Sequence, residues 1–339
     1  MRNLSMDALC EKIGNAVSKQ AISKYEKGES LPGSQILILL SQALDVKPDY
    51  FFRESQFAIS NIEFRKKAKM GVKEVEAIKE EIRDIIERYL EIEDIWGCVP
   101  SFANPVKEML VASEDDVYEV VKKLKDAWNI GEDGILSVTD LLESKNIKVV
   151  EIKADSSFDG LSGYVNNDEN MPFVVVNKSF DVERLRFTGL HELGHLVMNL
   201  PEEMEKKDKE RLCNLFASEM LISRDIFVDV LGERRSDISL QELKVLQAVY
   251  GISVDALMFK AKTVGVISES KYTSFCIRKN KSLAFKDAVE RSSYRGVEES
   301  SRFDRLVYRA LASDMISCSK AAVLLNEPME EVKNKLELV

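Results

Sequence analysis

The sequence predicts a mostly helical α+β protein of two or three domains that carries one small β-sheet. Apolar residues recur at helical spacing through most of the chain, as in Val75, Ile78, Ile82, Ile85, Ile86 and Leu90. Strand character is confined to three short runs rich in β-branched or aromatic residues, 147–152, 160–165 and 172–177. At 339 residues the chain is also long for a single hydrophobic core.

Composition fits a folded, water-soluble protein: 45% hydrophobic and 31% charged residues are too apolar for a disordered chain. No apolar run approaches the roughly 20 residues of a membrane span, and no targeting segment precedes the first helical pattern. A cytoplasmic protein without membrane contact is expected. Cys10, Cys98, Cys213, Cys276 and Cys318 are odd in number, far apart and without CxxC spacing, which predicts buried thiols rather than disulfides or a thiolate metal site. The net charge of −10 is uneven: residues 1–70 hold 11 Lys+Arg against 8 Asp+Glu, +3, which leaves −13 for the remainder. Any nucleic-acid contact is therefore expected in the first segment.

The elements follow in order. Residues 1–55 read as a compact helical domain of four or five short helices, with Leu9, Ile13, Ala21, Ile22, Leu37, Leu40 and Leu44 as core candidates. Residues 56–97 form a linker, basic at Arg65, Lys66, Lys67 and Lys69 after Phe64, and a long amphipathic helix. Residues 98–265 form the central domain: two helices around the turn Gly131-Glu132-Asp133-Gly134, three strands, a hairpin turn at 166–170, and then helices. Residues 266–339 form a C-terminal helical region, poorly patterned from Ser268 to Ser301 and helical after Arg302.

Inside an apolar helical run lies His191-Glu192-Leu193-Gly194-His195. Histidines four residues apart share a helix face, so both imidazoles reach one zinc ion, and the glutamate between them polarises its water. The chain has two histidines and both belong to this motif. A catalytic zinc keeps three protein ligands and an open position, and the third ligand here is not histidine. Met198 and Pro201 stand where an HExxHxxGxxH continuation needs glycine and histidine. A carboxylate on the next helix is the remaining common solution. Glu210 shares one face with Asn214, Ala217 and Leu221, while Glu219 points away, so Glu210 is the candidate ligand. Asn214, one turn on, is the candidate hydrogen-bond partner of a ligating imidazole. The ligand set also suits other divalent ions. Both residues also read as ordinary surface positions of an acidic helix.

This pattern, a short hairpin followed by Arg186-Phe187-Thr188-Gly189-Leu190-His191-Glu192-Leu193-Gly194-His195 and then Glu-x-x-x-Asn-x-Phe-Ala, resembles the ImmA/IrrE family of metallopeptidases. The resemblance is strong over roughly residues 146–225 and weaker to about 270. It departs from the family's Glu-x-Glu-Ala-Asn and Leu-Leu-Met-Pro segments at Leu212, Cys213, Ile222 and Ser223. It implies a zincin-like domain, a zinc cofactor, a protein substrate and proteolysis of a transcriptional repressor. A peptide adding as a strand beside residues 160–165 would bring its scissile carbonyl to the zinc. Tyr164 is a candidate for oxyanion support, with an edge-strand packing role as the competing reading.

Residues 4–52 resemble the XRE (Cro-type) helix-turn-helix domain, above all from Ser18 to Pro32. Ser18 can cap a short helix whose exposed face offers Lys19, Gln20, Ser23 and Lys24 to phosphates and base edges of an operator, with Gln20 as the base reader. A domain kept for dimerisation or for gripping a repressor of the same fold is the competing role. The order of domains, including Arg302–Val307 and Ser319–Ala322, resembles a known fused class that also supplies antitoxins of toxin–antitoxin pairs. The expected function is a zinc endopeptidase and DNA-binding regulator. The alternative is a non-proteolytic antitoxin or repressor with a vestigial or autoproteolytic zinc site, partnered by a toxin.

Overall fold

The computed structural model describes residues 4–44, 46, 48–52, 59–60, 71–97, 101–166 and 168–336. The basic linker run Arg65, Lys66, Lys67 and Lys69, Phe64 and Cys98 lie outside these residues. The chain divides into two compact units. One contains the amino-terminal helices, the long helix and the chain from Phe303; the other contains the sheet and the residues between it and Arg302.

The described residues of the amino-terminal segment form three α-helices and one 3-10 helix, where four or five short helices were expected: α1 (Met6–Lys12), α2 (Lys19–Glu26), α3 (Ser34–Leu44) and Pro48–Phe52. Serine hydroxyls start the first two. Ser5 accepts from the Ala8 amide at 3.1 Å and Ser18 from the Ala21 amide at 3.3 Å, which satisfies donors that a helix leaves open. Leu9, Cys10, Ile13, Ile22, Leu40 and Ala43 form the core beneath, while Ala21 is half-buried and outside it. The long helix α4 (Val72–Ile95) buries Val75, Ile78, Ile82 and Ile86, the period-3.6 stripe of its sequence.

The second unit is built on a mixed sheet of order β1-β3-β4-β2. Its strands are β1 (Ile59–Ser60), β2 (Lys148–Ile152), β3 (Gly160–Val165) and β4 (Pro172–Asn177). β3 and β4 form the expected antiparallel hairpin, and β2 adds to β4 in parallel, Lys148 opposite Phe173. The two-residue β1, unexpected from the sequence, pairs with Tyr164 and Val165. The Asn177 amide donates to the carbonyls of Ala154 (3.1 Å), Asp155 (3.1 Å) and Phe158 (2.9 Å), pinning the loop that delivers the chain to β3.

Around the sheet lie α5 (Glu114–Trp128), α6 (Val138–Ser144), α7 (Val182–Val197) and α8 (Lys206–Leu221). They are followed by α9 (Arg224–Leu231), α10 (Leu240–Tyr250) and α11 (Val254–Thr263). The stretch from Ser268 to Ser301, without clear pattern in the sequence, holds α12 (Glu269–Lys281) and α13 (Leu283–Glu290). Few of their residues are buried, Phe275 and Val289, so no buried stripe marks their periodicity. One core joins Val149, Val174 and Val176 of the sheet to Leu190, Leu193 and Val197 of α7 and Phe216 and Met220 of α8.

After this unit come α14 (Arg302–Ala312), α15 (Cys318–Leu324) and α16 (Met329–Lys335). Val307, Ala310, Ala321, Leu324 and Val332 cluster with Ile92 of α4, and Arg88 of α4 donates to the Leu324 carbonyl at 2.7 Å.

Arg186 on α7 is fully buried and ties four segments of the second unit together. It pairs with Glu298 at 2.5 Å and donates to the carbonyls of Ile135 (2.6 Å) and Gly251 (3.2 Å) and to the Tyr294 hydroxyl (2.9 Å). Gly251 has φ +60°, and a Cβ there would lie 2.4 Å from Arg186 Nε, so both its conformation and its space require glycine. Glu298 also accepts from the amides of Val138 (2.9 Å) and Thr139 (2.8 Å), capping α6. Removing it leaves a guanidinium buried without its counter-charge. Glu298→Ala is expected to destabilise by about 3–5 kcal/mol in urea unfolding, against about 0.5 kcal/mol or less for the exposed neighbour Glu299→Ala.

Candidate metal centre and nucleic-acid interface

The last two turns of α7 carry His191, Glu192 and His195. His191 and Glu192 are each 2% exposed, whereas His195 faces a cleft. His191 Nδ1 donates to Asn214 Oδ1 of α8 at 2.7 Å, because that oxygen only accepts. The bond places the lone pair on His191 Nε2, which faces His195 Nε2 at 3.2 Å. Two nitrogens each bound at ~2.0–2.1 Å to one tetrahedral zinc sit roughly 3.3–3.4 Å apart. The observed separation fits that arrangement.

α8 faces this pair with Glu210, whose carboxylate oxygens lie 3.6 Å from His191 Nε2 and 3.8 Å from His195 Nε2. A neutral imidazole pair facing one carboxylate is a donor set that suits a divalent cation. Glu219 is on another face, as the helix periodicity predicts. It is buried, paired with Lys260 of α11 and accepting from the Arg224 amide at 2.8 Å. Cys213, read from its spacing as no part of a metal site, is fully buried, and its ligand atom and those of the two histidines lie within 4.8 Å of one another.

The sheet supplies the other wall. Ser162 of β3 donates from Oγ to Glu192 Oε2 at 2.9 Å. The contact depends on Gly160, where a Cβ would lie 2.6 Å from Thr188 Cγ2 and 2.6 Å from the Val175 carbonyl oxygen. Only a residue without a side chain lets β3 lie this close to α7. Tyr164 donates its hydroxyl proton to the Leu196 carbonyl at 3.0 Å, and burial pushes its pKa up to about 12, so it stays a neutral donor engaged with the end of α7. Beside His195 opens a cleft of about 510 Å³, lined among others by Asn104, Lys107, Tyr164, Glu169 and Met198. Its far wall, the segment before α5, is held by Asn104 Nδ2 donating to the Val197 carbonyl at 2.9 Å, and Lys107 pairs with Glu169.

In the amino-terminal helices, α2 presents Lys19, Gln20 and Lys24 to solvent and leaves Ser23 half-buried. Ser18 is the N-cap, and Lys19 pairs with Asp7 of α1 at 2.7 Å. This is a short, capped helix with polar donors outward, the geometry that a groove-reading helix needs.

Residues 142–262 match the IrrE N-terminal-like domain. Residues 1–51 match the helix-turn-helix family. The chain thus carries an XRE-type helix-turn-helix domain followed by an IrrE-like peptidase-family domain. A curated protein from Sinorhizobium fredii, the uncharacterized HTH-type transcriptional regulator y4aM, is 45% identical over 53 residues, 16% of this chain. The match spans 36% of that relative's length. No helix among the described residues is long and apolar enough to cross a membrane.

In the second unit, four features were not visible around the candidate site in the sequence: Ser162, Cys213, Arg186 and the 101–108 wall. Ser162 and the wall reach α7 through tertiary contacts at large sequence separation, and no local pattern announces them. Cys213 did carry a signal, since it is three residues after Glu210 and therefore on the same helix face. In full-length protein, Asn214→Ala is expected to weaken metal binding about 10- to 100-fold in chelator competition, and Glu210→Gln to weaken it more. Glu219→Gln should leave affinity unchanged and lower the melting temperature, since it strands Lys260 instead. The reverse order for the two glutamates would show that the third ligand is misassigned.

Proposed function

We propose that this chain is a zinc-dependent endopeptidase and DNA-binding transcriptional regulator that acts by cutting a repressor or another partner protein. The observation that carries the reading is the convergence of His191, His195 and Glu210 around one point with Glu192 beside it, inside a domain of the IrrE N-terminal-like type. His191, His195 and Glu210 would hold the ion, and Asn214 would fix the tautomer of His191. The bound zinc would polarise the scissile carbonyl and acidify the attacking water.

Glu192 is placed to take the proton of that water and to return it to the departing amine nitrogen. Ser162, donating to Oε2, holds this carboxylate in one orientation. A substrate strand would lie along β3 over Gly160–Gly163, the part of its outer edge that β1 does not pair with, and its side chains would enter the cleft beside His195. Tyr164 would support an oxyanion only by giving up its bond to Leu196. At the other end, Ser18, Lys19, Gln20, Ser23 and Lys24 would contact operator DNA, and the phosphate contacts make binding fall as salt rises. The protein would act in the cytoplasm, and dimerisation through the helix-turn-helix domain accords with the reading.

A second reading, a non-proteolytic repressor or the antitoxin of a toxin, is favoured by the likeness over 53 residues to y4aM, an HTH-type transcriptional regulator. Glu192→Gln separates the two, because it removes the base while His191, His195 and Glu210 keep the metal. Under the peptidase reading the variant binds zinc and DNA as the parent does but loses both cleavage of the partner and the transcriptional response. Parental biological activity in Glu192→Gln would overturn proteolysis as the function. On the DNA side, Lys19→Ala and Gln20→Ala should each weaken a gel shift of the full-length protein, and Lys19→Ala should also flatten its salt dependence. Unchanged binding in both would refute the assigned face.

A further inference from the structure

One face of α8 carries three groups toward the histidines, at positions i, i+3 and i+4: Glu210, Cys213 and Asn214. Glu210 faces both imidazole Nε2 atoms, and Asn214 accepts from the back of His191. Cys213 sits between them, fully buried and in no disulfide, with its ligand atom and those of both histidines within 4.8 Å of one another. Cys10, by contrast, is buried in the amino-terminal core with Leu9, Ile13 and Ile22. Zinc takes thiolate sulfur at ~2.3 Å and imidazole nitrogen at ~2.0–2.1 Å, so the two donors of a tetrahedral site lie about 3.5 Å apart. The separation of at most 4.8 Å exceeds this by no more than about 1.3 Å, a contraction that would bring Cys213 onto the same ion.

We propose that Cys213 is a fourth protein ligand, so that His191, His195, Glu210 and Cys213 close the coordination sphere of the resting protein. Sites with four protein ligands are structural, and catalytic ones keep a position open. Closure by Cys213 would therefore hold the peptidase latent, and activity would require its side chain to leave. Latency rests on the peptidase reading given above; ligation does not.

The test loads the full-length protein with cobalt(II) in place of zinc and records its absorption spectrum. Wild type and Glu192→Gln are expected to show a thiolate-to-cobalt charge-transfer band together with the visible bands of a tetrahedral ion. Cys213→Ala and Cys213→Ser should keep visible cobalt bands and lose the charge-transfer band, and their zinc affinity in chelator competition should fall about tenfold or more. Cobalt-loaded wild type without the charge-transfer band, a band that persists in both variants, or wild type that binds no cobalt overturns the proposal. With ligation established, faster hydrolysis of the partner protein by Cys213→Ala than by the parent supports latency. Equal hydrolysis by the two overturns latency. A charge-transfer band that depends on Cys213, with no hydrolysis by any variant, overturns the peptidase reading and supports thiolate ligation.

Discussion

α7 is buried along most of its length, although it carries Glu183, Arg186, His191 and Glu192 on that buried surface. Each polar group on it must then find a partner inside the protein, because an unpartnered buried donor or acceptor costs about 1–3 kcal/mol and a charge costs more. The architecture around α7 follows from that constraint. Glu183 accepts from Gln247 of α10 at 2.8 Å and from Ser292; Arg186 takes Glu298 and several carbonyls; His191 takes Asn214; Glu192 takes Ser162. Each of these bonds fastens a different part of the chain to the same helix.

The same bonds that satisfy α7 also set the geometry of the site. Asn214 can reach His191 only if α8 lies close beside α7, and that approach carries Glu210 to within 4 Å of both imidazoles. Ser162 can reach Glu192 only because Gly160 lets β3 press against the helix. Structural satisfaction and chemical placement are here one arrangement. In such a setting, shielded from water, electrostatic interactions and hydrogen bonds are stronger than at a surface.

Charge is unevenly divided along the chain. The first 70 residues carry +3 and the rest −13, yet residues 1–51, the helix-turn-helix match, balance six Lys+Arg against six Asp+Glu, so the positive excess lies in residues 52–70. The helix-turn-helix depends on local devices, serine caps and a small apolar core, and so reads easily from a short window. The second unit depends on contacts between segments about 20 to more than 100 residues apart, Asn214 with His191 and Glu298 with Arg186 among them.

The division between what could be read and what could not follows from that range. Spacing alone determined that His191 and His195 share a face, that Glu210 and Asn214 share another, that Glu219 does not, and that the last two of three strands form a hairpin, because all of these are set by the 3.6- and 2-residue periods of the backbone and by turn residues. Turn and cap chemistry likewise marked α2 through Ser18. Weak periodicity hid α12 and α13, whose few buried residues leave no stripe to read. Only the tertiary structure decided that Ser162 meets Glu192, that Arg186 is a buried hub, that the segment 101–108 walls the cleft, and that Cys213 lies against the histidines. Each of those depends on how close two elements pack, and that distance is set by glycines, buried pairs and core volume acting together rather than by any pattern along one segment.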